Sequence, residues 1–324
     1  MHPLFLLACT SAPAEPPAPP ESADEVAPEA EPEPVAAPQP PPPEPLPTEG
    51  TFRREVVPGI VVAAYDPPDV PDPGFTKPPA DQLTRTDPRL FVVTVDPTLH
   101  ELTYLSRRDP SLSPTHGSID ALAWAEQHDL EVVFNPGMFE PDGRATGYTR
   151  AGSFVGQEQV RRNGLYRSWF VVDDGVVSMR DIVAPKGSGR YAAMDELPAQ
   201  TVASLAGAEL VSQSLSIVRG GRGVYPPRKN QWSELAYGVD DEGRLVVVFS
   251  RFPYEMRELG ARIAALDLGI EHLLHGEGGP EASLVVRAGG IEWVQMGSYE
   301  TGFYGDDNHH LWSLPAVIGV RPKD

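Results

Sequence analysis

Four short stretches of this 324-residue chain interrupt apolar runs with residues able to do chemistry. The first, "LLHGEGGPEASLVV" at 273–286, sets His275, Glu277 and Glu281 among glycines between two strand-like runs. In a strand, His275 and Glu277 point to one face and His272 to the other. A carboxyl in a partly desolvated pocket holds its proton to higher pH and can give it to a leaving oxygen. A second carboxylate, Glu234 or Glu281, would complete the pair used in ordinary glycoside hydrolysis. The second stretch, "FNPGMFEPDGRATGY", ends an apolar run at Asn135, and Gly137 lets backbone approach a ligand. The third, "SQSLSIV", offers Ser212, Gln213 and Ser214 as hydrogen-bonding partners for sugar hydroxyls. The fourth, "GDDNHHLW", holds Asp306, Asp307, His309 and His310, types that ligate metals, but in a stretch that reads as a polar loop. Taken singly, the second and third also read as a turn and a solvated strand.

No metal site is expected. His272 and His275 would share a side only on a helix, which the glycines after them oppose. No Gly-x-Ser-x-Gly, phosphate-cradling Gly-Lys-Ser/Thr loop or dinucleotide fingerprint occurs, so no cofactor is expected either.

The elements that must position these residues are mostly strands. "EVVPGIVVAAYD" reads as a strand pair broken at Pro58-Gly59, and "RLFVVTVDP" as a strand turning at Asp96-Pro97 into "ELTYLS". "SIDALAWAEQHD" reads as a helix capped by Ser118, with Ile119, Leu122, Ala123 and Trp124 on its apolar face. "LEVVFNPGMF", "ELVSQSLSIVRGG", "EHLLH" and "PAVIGVR" are further strands. Hairpins are expected at Asp174-Gly175 and Asp241-Glu242-Gly243, and "ASLVVRAGGIEWVQ" as strand, turn and strand. "YEMRELGARIAALDLG" is the best helix, with Met256, Leu259, Ile263 and Leu266 on one face and Gly269 as its cap. Two strand–helix–strand passages among hairpins predict an α+β fold. Its sheet is expected to be mixed and largely antiparallel, with a few packed helices.

This single globular domain, 51–324, follows a different kind of sequence. Residues 10–50 hold 15 of the 37 prolines, nine acidic residues and no Lys or Arg. Such a segment is expected to be a disordered, extended tether. Without it the formal charge of −20 falls to −11. No basic stripe is visible, which argues against nucleic acid as a partner. The only cysteine, Cys9, follows Leu6-Leu7-Ala8. That ending resembles a bacterial lipoprotein signal, residues 1–9, in which Cys9 carries the lipid. Membrane anchorage through Cys9 and a bacterial envelope location, periplasmic or cell-surface, are the expectation. No run of 18 apolar residues would span a bilayer.

From about Val92 to Val320 the order of the motifs resembles the phosphodiester glycosidase domain family. The family strand ending Asn-Gly-Gly-Phe-Phe is matched by Asn135-Pro136-Gly137-Met138-Phe139, and its Gln-x-Gly-Pro strand by Ser212 to Ser216. Its Arg-Thr-Ala-Ile-Gly strand falls on Glu234 to Gly238, running into "VDDEGRLVVVFS". Its Leu-Asn-Leu-Asp-Gly-Gly-Gly-Ser-Ser-Thr-Leu runs without gaps along Leu274 to Leu284. The family aspartate thus falls on Glu277, two glycines on Gly278 and Gly279, and the serine pair on Glu281 and Ala282. The resemblance implies an envelope-tethered, glycosidase-like hydrolase for a glycosyl phosphodiester or other carbohydrate. Glu277, Asn135 and Glu281 would be catalytic. Gly137, Gln213, Ser214, Glu234, His275, Gly278 and Gly279 would bind substrate. Glu234 at the arginine position reverses the charge and is expected to repel an anion, with Arg219, Arg222 or Arg251 available to compensate. A glycan-binding or structural protein without catalysis is the alternative that these departures imply.

Overall fold

Continuous apolar runs here build central strands buried on both faces, and alternating runs build edge strands with one face open. The structure, a computed structural model, describes residues 44–72, 74–76, 86–112, 119–183, 189–229, 231–300 and 305–323. The signal segment with Cys9, the tether up to residue 43, and Ser118 lie outside the described residues. The chain divides between Pro41 and Pro42, and all described elements belong to the second unit. That unit begins before residue 51: Leu46 is buried in the core, and Arg89 donates to the carbonyls of Thr48 and Gly50 at 2.6 Å each.

The elements in chain order are β1 (Phe52–Val57), β2 (Ile60–Tyr65), β3 (Leu90–Val95), β4 (His100–Ser106), α1 (Ala121–Gln127), β5 (Val132–Phe134), β6 (Thr149–Ala151), β7 (Phe154–Gln157), β8 (Val160–Arg161), β9 (Ser168–Asp173) and β10 (Val176–Asp181). They continue with β11 (Tyr191–Ala192), α2 (Ala199–Ala203), β12 (Leu210–Ser214), β13 (Ser216–Arg219), β14 (Gln231–Asp240), β15 (Leu245–Glu255) and α3 (Met256–Ala264). The last are β16 (Ile270–Gly278), β17 (Ser283–Ala288), β18 (Ile291–Met296) and β19 (Ala316–Pro322).

A seven-stranded sheet runs β1-β2-β3-β15-β14-β16-β13, and two five-stranded sheets run β10-β9-β12-β6-β7 and β18-β17-β5-β19-β4. The α+β, largely antiparallel expectation holds, and every pairing among the described residues is antiparallel. The two strand–helix–strand passages do not create parallel neighbours. After α1, β5 lies two places from β4 with β19 between, and after α3, β16 lies two places from β15 with β14 between.

One core joins the three large sheets, with Val247 and Phe249 of β15, Phe134 and Ile318, and Phe170 and Leu210 all in it. The alternate residues Val246 and Val248 face the other way, against Met256, Leu259 and Ile263 of α3. Trp124, Ala121 and Ala125 of α1 cover the outer side of β5 and β17. The buried stripe of α1 is therefore Ala121, Trp124 and Ala125, while Ile119 and Leu122 are only partly buried. Its N-cap is Asp120, not Ser118: the carboxylate accepts from the Ala123 N–H at 2.9 Å. Gly269 does not cap α3 either. The helix ends at Ala265, and Gly269 instead turns the chain beside Asp241, whose N–H donates to its carbonyl.

Candidate active site

The seven-stranded sheet lays β16 between β13 and β14, so the first candidate stretch meets the third on one side and Glu234 on the other. Ala236 and Leu273 pack with the α3 cluster. Glu234 and His275, two residues along from each, share that face. β16 carries one residue too many there: Leu235 pairs with Glu277 and Ala236 with His275, leaving Gly276 as a bulge. A Cβ at 276 would lie 2.3 Å from Leu235 Cδ2 and 3.0 Å from the Leu235 carbonyl oxygen, so only glycine fits. A Cβ at 278 would lie 2.6 Å from the Trp232 indole, which rests on Gly278.

These residues floor a cleft of about 430 Å³ lined by Met138, Phe139, Trp232, His275, Glu277, Gly278, Gly279, Glu281 and Glu300. Glu234 lies behind it, 1 % exposed, and both of its oxygens accept hydrogen bonds. One comes from His275 Nδ1 at 2.6 Å and one from Trp232 Nε1 at 2.6 Å. His275 Nε2 faces Glu277 Oε1 at 3.9 Å, and the same oxygen accepts the Gly278 N–H at 3.1 Å. Burial pushes the Glu277 carboxyl up to about 7; His275 and the Gly278 N–H oppose this, and Glu281 and Glu234 add to it. Burial also raises Glu281, helped by Glu300. Burial opposes charge on His275, but Glu234 and Glu277 outweigh it and raise its value. Burial raises Glu234, against the pull of His275 and Trp232. The pair holds one proton, and the indole's donation to Glu234 favours keeping it on the ring.

The structure thus answers the question of the reversed charge. Glu234 does not present a bare carboxylate to an anion, because His275 neutralises it. None of the three expected arginines lines the cleft. Arg251 is tied to Asp306 Oδ1 at 2.6 Å and to the Met296 and Asn308 carbonyls, and Arg219 pairs with Asp181 at 2.6 Å.

The expected catalytic Asn135 and the expected substrate-binding Gln213 both use their amide oxygen and nitrogen on the protein's own backbone. Asn135 is completely buried; it donates to the Glu281 carbonyl at 3.1 Å and accepts the Ser283 N–H at 2.8 Å. It therefore holds the turn that carries Glu281. Gln213 accepts from the N–H groups of Tyr148 and Arg161 and donates to the carbonyls of Arg161 and Tyr166. Ser214 is buried with its hydroxyl unpartnered, 3.4 Å from where a Gly137 side chain would begin. Gly137 has φ +149, in the region that favours glycine. The carbonyl of Pro136 before it is pinned by Tyr237 Oη at 2.6 Å and Ser212 Oγ at 3.3 Å.

Trp232, Met138, Phe139 and Glu300 are site residues that sequence reading missed. Trp232 had a signal, two residues before Glu234 on one strand face. Glu300 had none. Asp306 belongs to the Arg251 cluster rather than to the cleft. A second hollow, about 390 Å³ over β2 and β3, holds Arg244, which is paired with Asp240 and Glu242.

No family model matches the chain, and no curated protein matches it. Solved structures do. The catalytic domain of zebrafish N-acetylglucosamine-1-phosphodiester alpha-N-acetylglucosaminidase superposes with a TM-score of 0.53 at 12 % identity, covering 85 % of this chain and 88 % of that one. A hypothetical protein from Synechocystis gives 0.48 at 13 % identity over 85 % of this chain, which spans 64 % of that protein's length. A Burkholderia pseudomallei K96243 protein described as exported gives 0.36 at 14 % identity, covering 72 % and 74 %. The first of these shows that the chain has a phosphodiester-glycosidase-like fold.

Proposed function

We propose that the cleft hydrolyses a glycosidic linkage in a carbohydrate, with Glu277 giving its proton to the leaving oxygen and Glu281 as the second carboxylate. The observation that carries this reading is the placement of Glu277: a carboxyl at the floor of a cleft, beside an imidazole, with Glu281 on the same wall. At neutral pH it retains much of its proton. Trp232 and Phe139 supply apolar surface for a sugar face. The likeness in fold to a catalytic domain named for a glycosidase activity supports the reaction class.

The rim disfavours an anionic substrate. Glu281 and Glu300 line the cleft, and among the described residues no Arg or Lys does. Aryl glycosides are therefore expected to turn over faster than glycosyl phosphodiesters in a panel assayed with the purified domain. Faster turnover of the phosphodiesters would reverse this substrate preference. Saturable glycan binding with no product from any member would instead establish a glycan-binding module, the second reading. The engaged amides of Asn135 and Gln213 favour it, since they leave few free polar contacts for catalysis.

The proposal extends to location. Cys9 after Leu6-Leu7-Ala8, followed by the proline-rich acidic segment, supports a lipid-anchored envelope protein held off a membrane. Among the described residues no helix is long and apolar enough to cross one. Expressed in a bacterium, the full chain is expected in the membrane fraction and Cys9→Ala in the soluble fraction. Equal partitioning of the two would remove the anchor.

A further inference from the structure

We propose that Glu234 and His275 are positioning residues that govern the proton on Glu277, the three side chains acting as one titrating unit. The proposal rests on the reading of Glu277 as the proton donor and extends it to two residues behind the cleft wall.

The geometry is that of an oriented imidazole. Glu234 anchors Nδ1 at 2.6 Å, and Trp232 anchors Glu234 through its other oxygen at 2.6 Å. The ring cannot turn without losing that bond. Its second nitrogen, Nε2, has no hydrogen-bond partner among the described residues and faces Glu277 from 3.9 Å, although His275 is 98 % buried.

A histidine serving packing alone looks different, and the same molecule provides one. His100 is also buried, but both its nitrogens face protein oxygens: Nε2 bonds the Pro58 carbonyl at 2.9 Å, and Nδ1 lies 3.1 Å from a Glu131 carboxylate oxygen, an ion-pair contact without hydrogen-bond geometry. Burying a carboxylate and an imidazole is costly, and apolar residues of the same size often stabilise as well. A pair that leaves one nitrogen open to the cleft, beside an acid, has a use for it.

The use follows from charge. When Glu277 acts, its O–H bond breaks, the electron pair stays on the carboxylate, and the proton bonds to the leaving oxygen. The new carboxylate then faces the imidazolium. Without Glu234, burial removes the proton from His275 and this stabilisation disappears. The other ionisable groups around the unit are Glu281 and Tyr166 near Glu277, Glu300 near Glu281, and Tyr225 near Glu234. Among the described residues His275 is the cation that acts directly on Glu277, while Arg161 and Arg228 stand one group further out, beside Tyr166 and Tyr225.

The test is a carboxyl-carbon NMR titration of Glu277 in the full chain, without substrate, in wild type, Glu234→Gln, His275→Gln and the double variant. Each single variant is expected to raise the Glu277 midpoint, His275→Gln by roughly one pH unit or more, the scale of losing an opposite charge at this range, and Glu234→Gln by less, because its own negative charge leaves with the imidazolium's. The double variant should move it no further than His275→Gln does. Circular dichroism identifies the folded variants, and either single variant alone suffices. An unchanged Glu277 midpoint in a folded single variant overturns the proposal, as do shifts that add in the double variant. Loss of the hydrolytic reading shows itself separately, as no turnover by wild type, and leaves the titration result standing.

Discussion

Replacing Glu277 by glutamine is expected to abolish hydrolysis while making the protein more stable at alkaline pH. General acid catalysis contributes roughly a hundred- to ten-thousand-fold, and an amide has no proton to give at these pH values. The stability effect has the opposite sign and a different origin. The carboxyl is raised from 4.5 to about 7 because burial disfavours its charge. Below pH 4.5 both the folded and unfolded chains hold the proton, so the group contributes nothing. Between 4.5 and about 7 the unfolded chain has released it and the folded chain has not, so stability falls as pH rises. Above about 7 the loss is complete, about 3 kcal/mol at 1.36 kcal/mol per unit. Glu277→Gln lacks this penalty. Urea denaturation of the two proteins should give similar stabilities near pH 4.5 and a more stable variant at pH 8, by up to that amount. A variant less stable than wild type at pH 8 would show that Glu277 is held for structure. Turnover equal to wild type would remove it from the chemistry.

The second large effect is structural. Gln213→Leu is expected to cost roughly 4 kcal/mol or more. The amide joins three separate pieces of chain: it accepts from Tyr148 N–H at 3.1 Å and Arg161 N–H at 2.9 Å, and donates to the Arg161 carbonyl at 3.2 Å and the Tyr166 carbonyl at 3.0 Å. Leucine leaves two donors and two acceptors without partners in a place almost closed to water, at about 1 kcal/mol or more each. Gln213→Glu should lie between: its carboxyl still accepts from the two N–H groups but must take up a proton to donate to a carbonyl. The midpoint of urea denaturation measures both. A Gln213→Leu loss below about 1 kcal/mol would mean that the three segments hold together without the amide.

These two residues show why a site can be half legible. Glu277 could be picked out because its neighbours in sequence, His275 and the glycines 276, 278 and 279, are also its neighbours in space. The backbone bonds of Gln213 are not legible in the same way, because its partners stand 47 to 65 residues away. A buried amide looks the same in sequence whether it meets a sugar or four peptide groups. The same holds for Asn135, whose bonds reach the segment 146 to 148 residues on. Glu234 looked like a bare negative charge until β14 and β16 were laid side by side; His275, 41 residues later, neutralises it.

The sequence by itself determined the long strands, their turns and the class of the fold, but not the short β6, β7, β8 and β11 or α2, nor that "ELVSQSLSIVRGG" divides at Leu215 into β12 and β13 of two different sheets. Alternation, Asp-Gly turns and the stripe on α3 are settled by residues a few positions apart, where backbone geometry leaves little choice. It missed the finer ends, the cap on α1 at Asp120 and the end of α3 before Gly269, since competing caps lie within a residue or two of each other. Only the tertiary structure decided what each polar side chain does. Which strand lies beside which is fixed by packing three sheets on one core, and that packing sets whether a carboxylate meets water, a peptide N–H or an imidazole. The charge and proton affinity of Glu234, His275 and Glu277 depend on distances of a few ångströms between β14 and β16, and no local pattern in either strand encodes them.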